Sequence, residues 1–111
     1  MNPKYEQQMK KGVLEMLVLR LLSGEEKYGY QLITELREGS SGMFTLKEGT
    51  LYPILYRLED EGLVESRWSE PKGREVSRKY YYITDDGTEA LMQLMDLWKR
   101  FSVNIEKIME G

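Results

Sequence analysis

Five cations, Arg67, Lys72, Arg74, Arg78 and Lys79, stand against three carboxylates, Glu65, Glu70 and Glu75, between Leu63 and Ile83. That segment has a surplus of two positive charges. The rest of the chain, with eleven cations and sixteen acids, is short by five, which gives the net charge of -3. Long cations gathered at one place in an acidic chain suit contacts to phosphate. The plain alternative is a solvated, balanced turn, since Glu70 and Glu75 lie beside Lys72 and Arg74.

A second constellation lies upstream, in the run Glu48-Gly49-Thr50-Leu51-Tyr52-Pro53-Ile54-Leu55-Tyr56-Arg57-Leu58. At 100° per residue, Leu51, Ile54, Leu55 and Leu58 share one stripe. Gly49, Pro53, Tyr56 and Asp60 point away from it, flanked by Tyr52 and Arg57, so two tyrosines are expected off the core. A phenol offers an apolar body and a hydroxyl suited to sugar and phosphate, and Gly49 permits close approach of a backbone. Lys47, Thr50 and Arg57 add candidate contacts to phosphate or base edges. Each tyrosine has the alternative of packing against a neighbouring element.

A third pattern occupies the end of the chain. Leu91, Trp98 and Ile105 recur every seven residues, as do Leu94, Phe101 and Ile108, and Met95 and Met109 widen the stripe. This is an a/d seam that a helix from a second copy would cover; folding back onto the first helix is the alternative. Trp98, with Met95 and Phe101 beside it and Asp96 as counter-charge, is a candidate site for an aromatic or cationic small molecule. A large aromatic on such a seam also serves for packing alone.

The absences narrow the function further. With no cysteine and no histidine, the chain lacks thiolate metal sites, cysteine nucleophiles and the commonest general base. The acid pairs Glu25/Glu26 and Asp85/Asp86 are better read as helix-end partners, because no nucleophile, phosphate loop or metal-ligand cluster accompanies them. No enzyme activity, cofactor or metal is expected. No apolar run approaches the roughly 20 residues that span a bilayer, and the start does not read as a signal peptide. An intracellular location away from the membrane follows as the expectation. At 111 residues the chain suits one domain.

The elements that must position these groups can be read in order. Asn2-Pro3 suggests a cap and first helical residue, with a helix from about Lys4 to Leu22 whose second half is apolar nearly all round. A second helix is expected from Tyr28 to about Glu38. A third, from about Leu46 to Glu61, would be opened by a Thr45/Glu48 capping box and closed by Gly62 in a left-handed conformation. The period then changes to two, in Leu63 to Trp68 and Ser77 to Ile83, which should pair as an antiparallel hairpin. Thr84 or Asp85 would cap a long last helix reaching about Met109. The expected fold class is mainly α with a small β-hairpin (α+β): a winged helix-turn-helix over residues 1–84 and a C-terminal dimerisation helix over 85–111, forming one compact unit.

The sequence resembles the PadR family of bacterial transcriptional regulators over nearly the whole chain. Tyr28-Gly29-Tyr30-Gln31-Leu32, the run from Glu48 to Val64 and Arg78-Lys79-Tyr80-Tyr81-Tyr82-Ile83-Thr84-Asp85-Asp86-Gly87 carry the resemblance, and Gly49-Thr50-Leu51-Tyr52-Pro53 is its most specific part. The resemblance implies a homodimer that binds double-stranded DNA, represses by occluding a promoter and works in the bacterial cytoplasm at the nucleoid. It also implies dimerisation through the last helix with help from the partner's first helix. In the short branch of the family, a tryptophan placed like Trp98 can stack on flat aromatic effectors. A winged helix that binds only other proteins, without specific DNA recognition, is the alternative function.

Overall fold

The computed structural model describes residues 3–111, so the cap expected at Asn2 lies outside the described residues. Two helices, α1 (Pro3–Lys11) and α2 (Leu14–Leu22), stand where one was expected from Lys4 to Leu22. Gly12 accounts for the break. Glycine inside a helix costs about 1 kcal/mol relative to alanine, and α1 buries none of its residues, so no packing offsets that cost. In α2, by contrast, Leu14, Val18, Leu19 and Leu22 are buried and Met16, Leu17 and Leu21 pack at the margin of the core. The helix that was expected to be enclosed on all sides is therefore buried along one face only, with Met16, Leu17 and Leu21 part-covered and Arg20 exposed on the other.

A two-residue strand, β1 (Lys27–Tyr28), precedes α3 (Gly29–Gly39). Two residues carry no readable period, so this strand was not expected. Next come α4 (Glu48–Asp60), β2 (Val64–Trp68), β3 (Lys79–Ile83) and α5 (Asp85–Glu110). The sheet order is β1-β3-β2, antiparallel throughout. In the ladder Val64 faces Ile83, Ser66 faces Tyr81, Trp68 faces Lys79 and Lys27 faces Tyr81. Side chains alternate across a sheet, so these residues share the inner face toward α4. Glu65, Arg67, Tyr80, Tyr82 and Tyr28 share the outer face.

The core joins α2, α3, α4 and the inner sheet face through Val18, Leu19, Leu32, Leu51, Leu55, Leu58, Val64 and Tyr81. Each such side chain contributes about 1.5–3 kcal/mol by leaving water. The α4 stripe of Leu51, Ile54, Leu55 and Leu58 is buried as its spacing predicts. Gly62, at φ 77°, ends that helix in the left-handed conformation. The capping box is absent. Thr45 Oγ1 donates instead to the Gly42 carbonyl at 2.8 Å, and α4 opens at Lys47 with no side chain capping it.

Thr84 caps α5 by accepting from the Gly87 amide at 3.0 Å. Gly87 lies against the Leu63 carbonyl, and a Cβ there would stand 2.7 Å from Ile83 Cγ1, so the start of α5 is pinned to the base of the hairpin. Its 26 residues span about 39 Å. Only Gly87 and Leu91, both near its start, are buried. The molecule is mainly α with a small three-stranded sheet, a winged-helix arrangement extended by one long helix.

Candidate nucleic-acid interface

The outward face of α4 is open. Gly49, Thr50, Pro53, Tyr56 and Asp60 are all exposed, and Lys47 stands exposed at the N-terminus. A helix N-terminus carries a partial positive charge and amides that intrahelical bonds leave over. With no side chain folded over it, this one can meet a phosphate.

The two tyrosines part company. Tyr56 is 52% exposed, while Tyr52 is half-buried with its ring against Gly29 at the start of α3. Burial pushes the Tyr52 hydroxyl up from its ordinary range, with the Glu48 carboxylate adding to the effect. Tyr52 therefore sits against the core, where the helical wheel placed it off the core. Its partner belongs to another helix, which a wheel cannot represent. Arg57 is also drawn inward: its guanidinium meets Glu15 Oε1 of α2 at 2.5 Å, though half of it remains exposed.

The hairpin supplies the flank. Its loop, residues 69–78, is closed at the neck by Ser69, whose amide donates to the Arg78 carbonyl at 2.8 Å and whose Oγ accepts from the Arg78 amide at 2.8 Å. Ser77 Oγ donates to the Ser69 carbonyl. Lys72 and Arg74 are exposed around the turn, where Gly73 takes φ 62°. Lys79, on the inner face, holds its ammonium 5.8 Å from the Tyr56 ring centre and 5.3 Å from that of Tyr81. Arg78 goes to the other side, with its guanidinium carbon 4.6 Å from the Tyr28 ring centre. Arg67, also on the outer face, is paired with Glu26, and that bond holds the Glu26 carboxyl below its usual range. The five cations of the segment are thus divided between two faces and a tip, and only Lys79 reaches α4.

Along α5 the heptad residues do not share one environment. Leu91 is buried in the chain's own core and Leu94 packs against it, so Leu91 is not open to a second copy. Trp98, Phe101, Ile105 and Ile108 are exposed. Phe101 and Ile105 line an apolar groove of about 750 Å³ with Tyr5 and Met9 of α1. Met95 lines a smaller one of about 200 Å³ with Met16 and Leu17, and Trp98 borders both. Asp96 lines neither and is bonded to Arg100 at 3.2 Å. Of the four residues grouped around a candidate ligand, Trp98 thus shares one groove with Phe101 and the other with Met95, and Asp96 stands apart.

Residues 18–93 match the Transcriptional regulator PadR-like family. The chain belongs to that family. This PadR-like regulator is 33% identical over 101 residues to an uncharacterised protein of Lysinibacillus sphaericus, covering 91% of this chain and 92% of that one. It is 32% identical over 79 residues to the negative transcriptional regulator PadR of Bacillus subtilis, which covers 71% of this chain but only 43% of that protein. Among solved structures, a PadR family regulator from Eggerthella lenta superposes with a TM-score of 0.87 at 33% identity, covering 98% of this chain and 92% of that one. A PadR-like regulator from Bacillus cereus gives 0.79 at 38% identity, with 94% and 98% covered. Regulation of transcription through DNA binding is the activity of this family, which is not a family of enzymes. No helix among the described residues is long and apolar enough to cross a membrane.

Proposed function

We propose that this PadR-like regulator is a homodimeric repressor that places α4 in the major groove and the hairpin on the flanking backbone. The observation carrying this reading is the open face of α4, Gly49, Thr50, Pro53 and Tyr56, continued by Lys79 onto the wing. A helix entering the groove with a wing beside it is a recurrent way for a small domain to read DNA. Lys47, Lys72 and Arg74 serve the phosphates, Arg57 serves them from a position tied to Glu15, and Arg78, held over Tyr28 on the outer face of the sheet, lies away from them. Repression is supported by the Bacillus subtilis relative, which is named a negative regulator.

Dimerisation is supported by the apolar residues that α5 leaves exposed, Leu97, Trp98, Phe101, Ile105 and Ile108, which fall on one stripe of the helix, as contiguous apolar surface at an interaction site does. A two-fold pair of α5 helices presents two copies of α4 to a palindromic operator. The groove beside Trp98 has the size of a small-molecule site, and a flat aromatic effector there would release DNA only by binding better to a wing spacing that does not fit the operator.

Fluorescence anisotropy with labelled DNA from the protein's own promoter, against scrambled DNA at several salt concentrations, tests the reading. Promoter binding tighter than the control by about 10³-fold, and falling steeply with salt, is expected. Equal weak binding to both would overturn it and favour a protein-binding winged helix.

A further inference from the structure

Trp68 ends β2 directly opposite Lys79, and at 66% exposure it is the most exposed aromatic among the described residues. Strand alternation fixes its direction. Val64 and Ser66 precede it on the inner face, Val64 buried in the core and Ser66 donating to Glu59 Oε2 of α4 at 2.5 Å. Two residues further on, the strand has passed the edge of the core, and Trp68 stays on that face with two-thirds of its surface in water. Directly paired residues hold their Cβ atoms about 4.5–5.5 Å apart. The Cβ atoms of Trp68 and Lys79 therefore lie side by side on the face of the sheet turned toward α4, where the Lys79 ammonium reaches the Tyr56 ring. β2 could have ended on a polar residue at no cost to the core, so packing within the chain does not account for Trp68.

We propose that Trp68 is a DNA contact, with its indole packed on a deoxyribose of the strand that borders the groove while Lys79 meets an adjacent phosphate. The inference rests on the DNA-binding reading above. Sugar is the apolar stripe of a nucleic-acid backbone, and an indole offers a flat apolar surface with one N–H that can donate to a phosphate oxygen. A sugar contact carries no sequence information. Trp68 thus adds affinity to promoter and scrambled DNA alike, and it does so without charge. These two properties separate it from a base-reading residue and from a phosphate-binding cation.

The test uses the full chain labelled with 5-fluorotryptophan. Its two tryptophans give two fluorine signals, and the one absent from Trp68→Phe belongs to Trp68. On addition of promoter duplex, that signal should shift and lose most of its response to exchanging H₂O for D₂O. Anisotropy should show Trp68→Ala weakening promoter and scrambled DNA by a similar factor, on the order of ten-fold, with the salt dependence unchanged and Trp68→Phe recovering part of the loss. Lys79→Ala should instead lower the salt slope by about one. A tight wild-type complex in which the Trp68 signal stays put, or a Trp68→Ala loss confined to the promoter, would overturn the proposal while leaving the regulator reading intact. A wild-type protein that binds both DNAs equally weakly would overturn both.

Discussion

The ammonium of Lys79 lies 5.8 Å from the centre of the Tyr56 ring, so the wing and α4 meet through these two side chains. A cation over an aromatic face is worth about 0.5–1 kcal/mol where both are partly exposed. The contact is too weak to hold the fold together, but it sets where the ring and the charge stand relative to each other. Tyr56→Phe keeps the ring and removes the hydroxyl, whereas Tyr56→Leu removes both. Urea denaturation should find Tyr56→Phe unchanged and Tyr56→Leu lower by no more than about 1 kcal/mol. Promoter affinity should fall in both, because the hydroxyl is assigned to the DNA backbone. Wild-type affinity in Tyr56→Phe would remove that assignment.

Two glycines are held by close neighbours of different kinds. A Cβ on Gly29 would stand 2.7 Å from Tyr52 Cζ, a side-chain atom, while one on Gly87 would run into the Leu63 carbonyl of the main chain. Forcing extra volume into packed sites typically costs about 1–3 kcal/mol. Gly29→Ala should fall within that range, and Gly87→Ala at or above its upper end, because backbone cannot turn aside as a ring can. Adding Tyr52→Leu should relieve part of the Gly29→Ala loss and none of the Gly87→Ala loss. Equal costs for the two glycines, measured by denaturant midpoints, would contradict this ordering.

Tyr81 is fully buried, and its hydroxyl has no hydrogen-bond partner among the described residues. Burial pushes its pKa up to about 12, with Tyr56, Glu59 and Tyr52 adding to the rise. The unfolded chain releases this proton near pH 10 and the folded chain near 12, so the unfolded state gains from ionisation first. Stability contributed by Tyr81 is present below pH 10 and is lost as pH climbs from 10 toward 12. Tyr82, raised by donating to Glu65 at 2.7 Å, and Tyr52, raised by burial, act in the same direction. Tyr81→Phe should flatten the alkaline fall and leave neutral-pH stability equal or higher by about 1 kcal/mol, since it removes an unpaired polar atom. An alkaline slope identical to wild type would mean that other groups carry it.

What could be read from the sequence is what depends on period. The Leu51 to Leu58 stripe, the alternation in the hairpin and the cap at Thr84 each follow from neighbours within a few residues, and burial repeats with the same spacing. Pairings made across the fold were out of reach. Arg57 and Glu15 are 42 positions apart, and Gly29 accepts the Tyr52 ring only because α3 and α4 cross there. The same limit applies to α5. Its heptads are continuous in sequence, yet Leu91 belongs to the core and Trp98 does not, because the domain ends part-way along the helix. Sequence periodicity marks an apolar face but not what lies against it.

That division of α5 gives a direct test of the dimer. Ile105 is half exposed beyond the body of the domain, whereas Leu91 is 5% exposed within it. A carboxylate at Ile105 stays in water if the chain is a monomer but would be buried, unpaired, in a dimer seam, where an uncompensated charge is expensive. Ile105→Glu should therefore remain folded by circular dichroism and sediment as a 13.1 kDa monomer, where the wild type sediments at about twice that mass. Its promoter affinity should fall by about 10²-fold or more, because two linked half-sites become two separate ones. Leu91→Glu should instead unfold the domain, since its charge enters the core whether or not a partner is present. A wild-type protein that sediments as a monomer, or an Ile105→Glu variant that keeps the wild-type mass, would rule out this part of α5 as the interface.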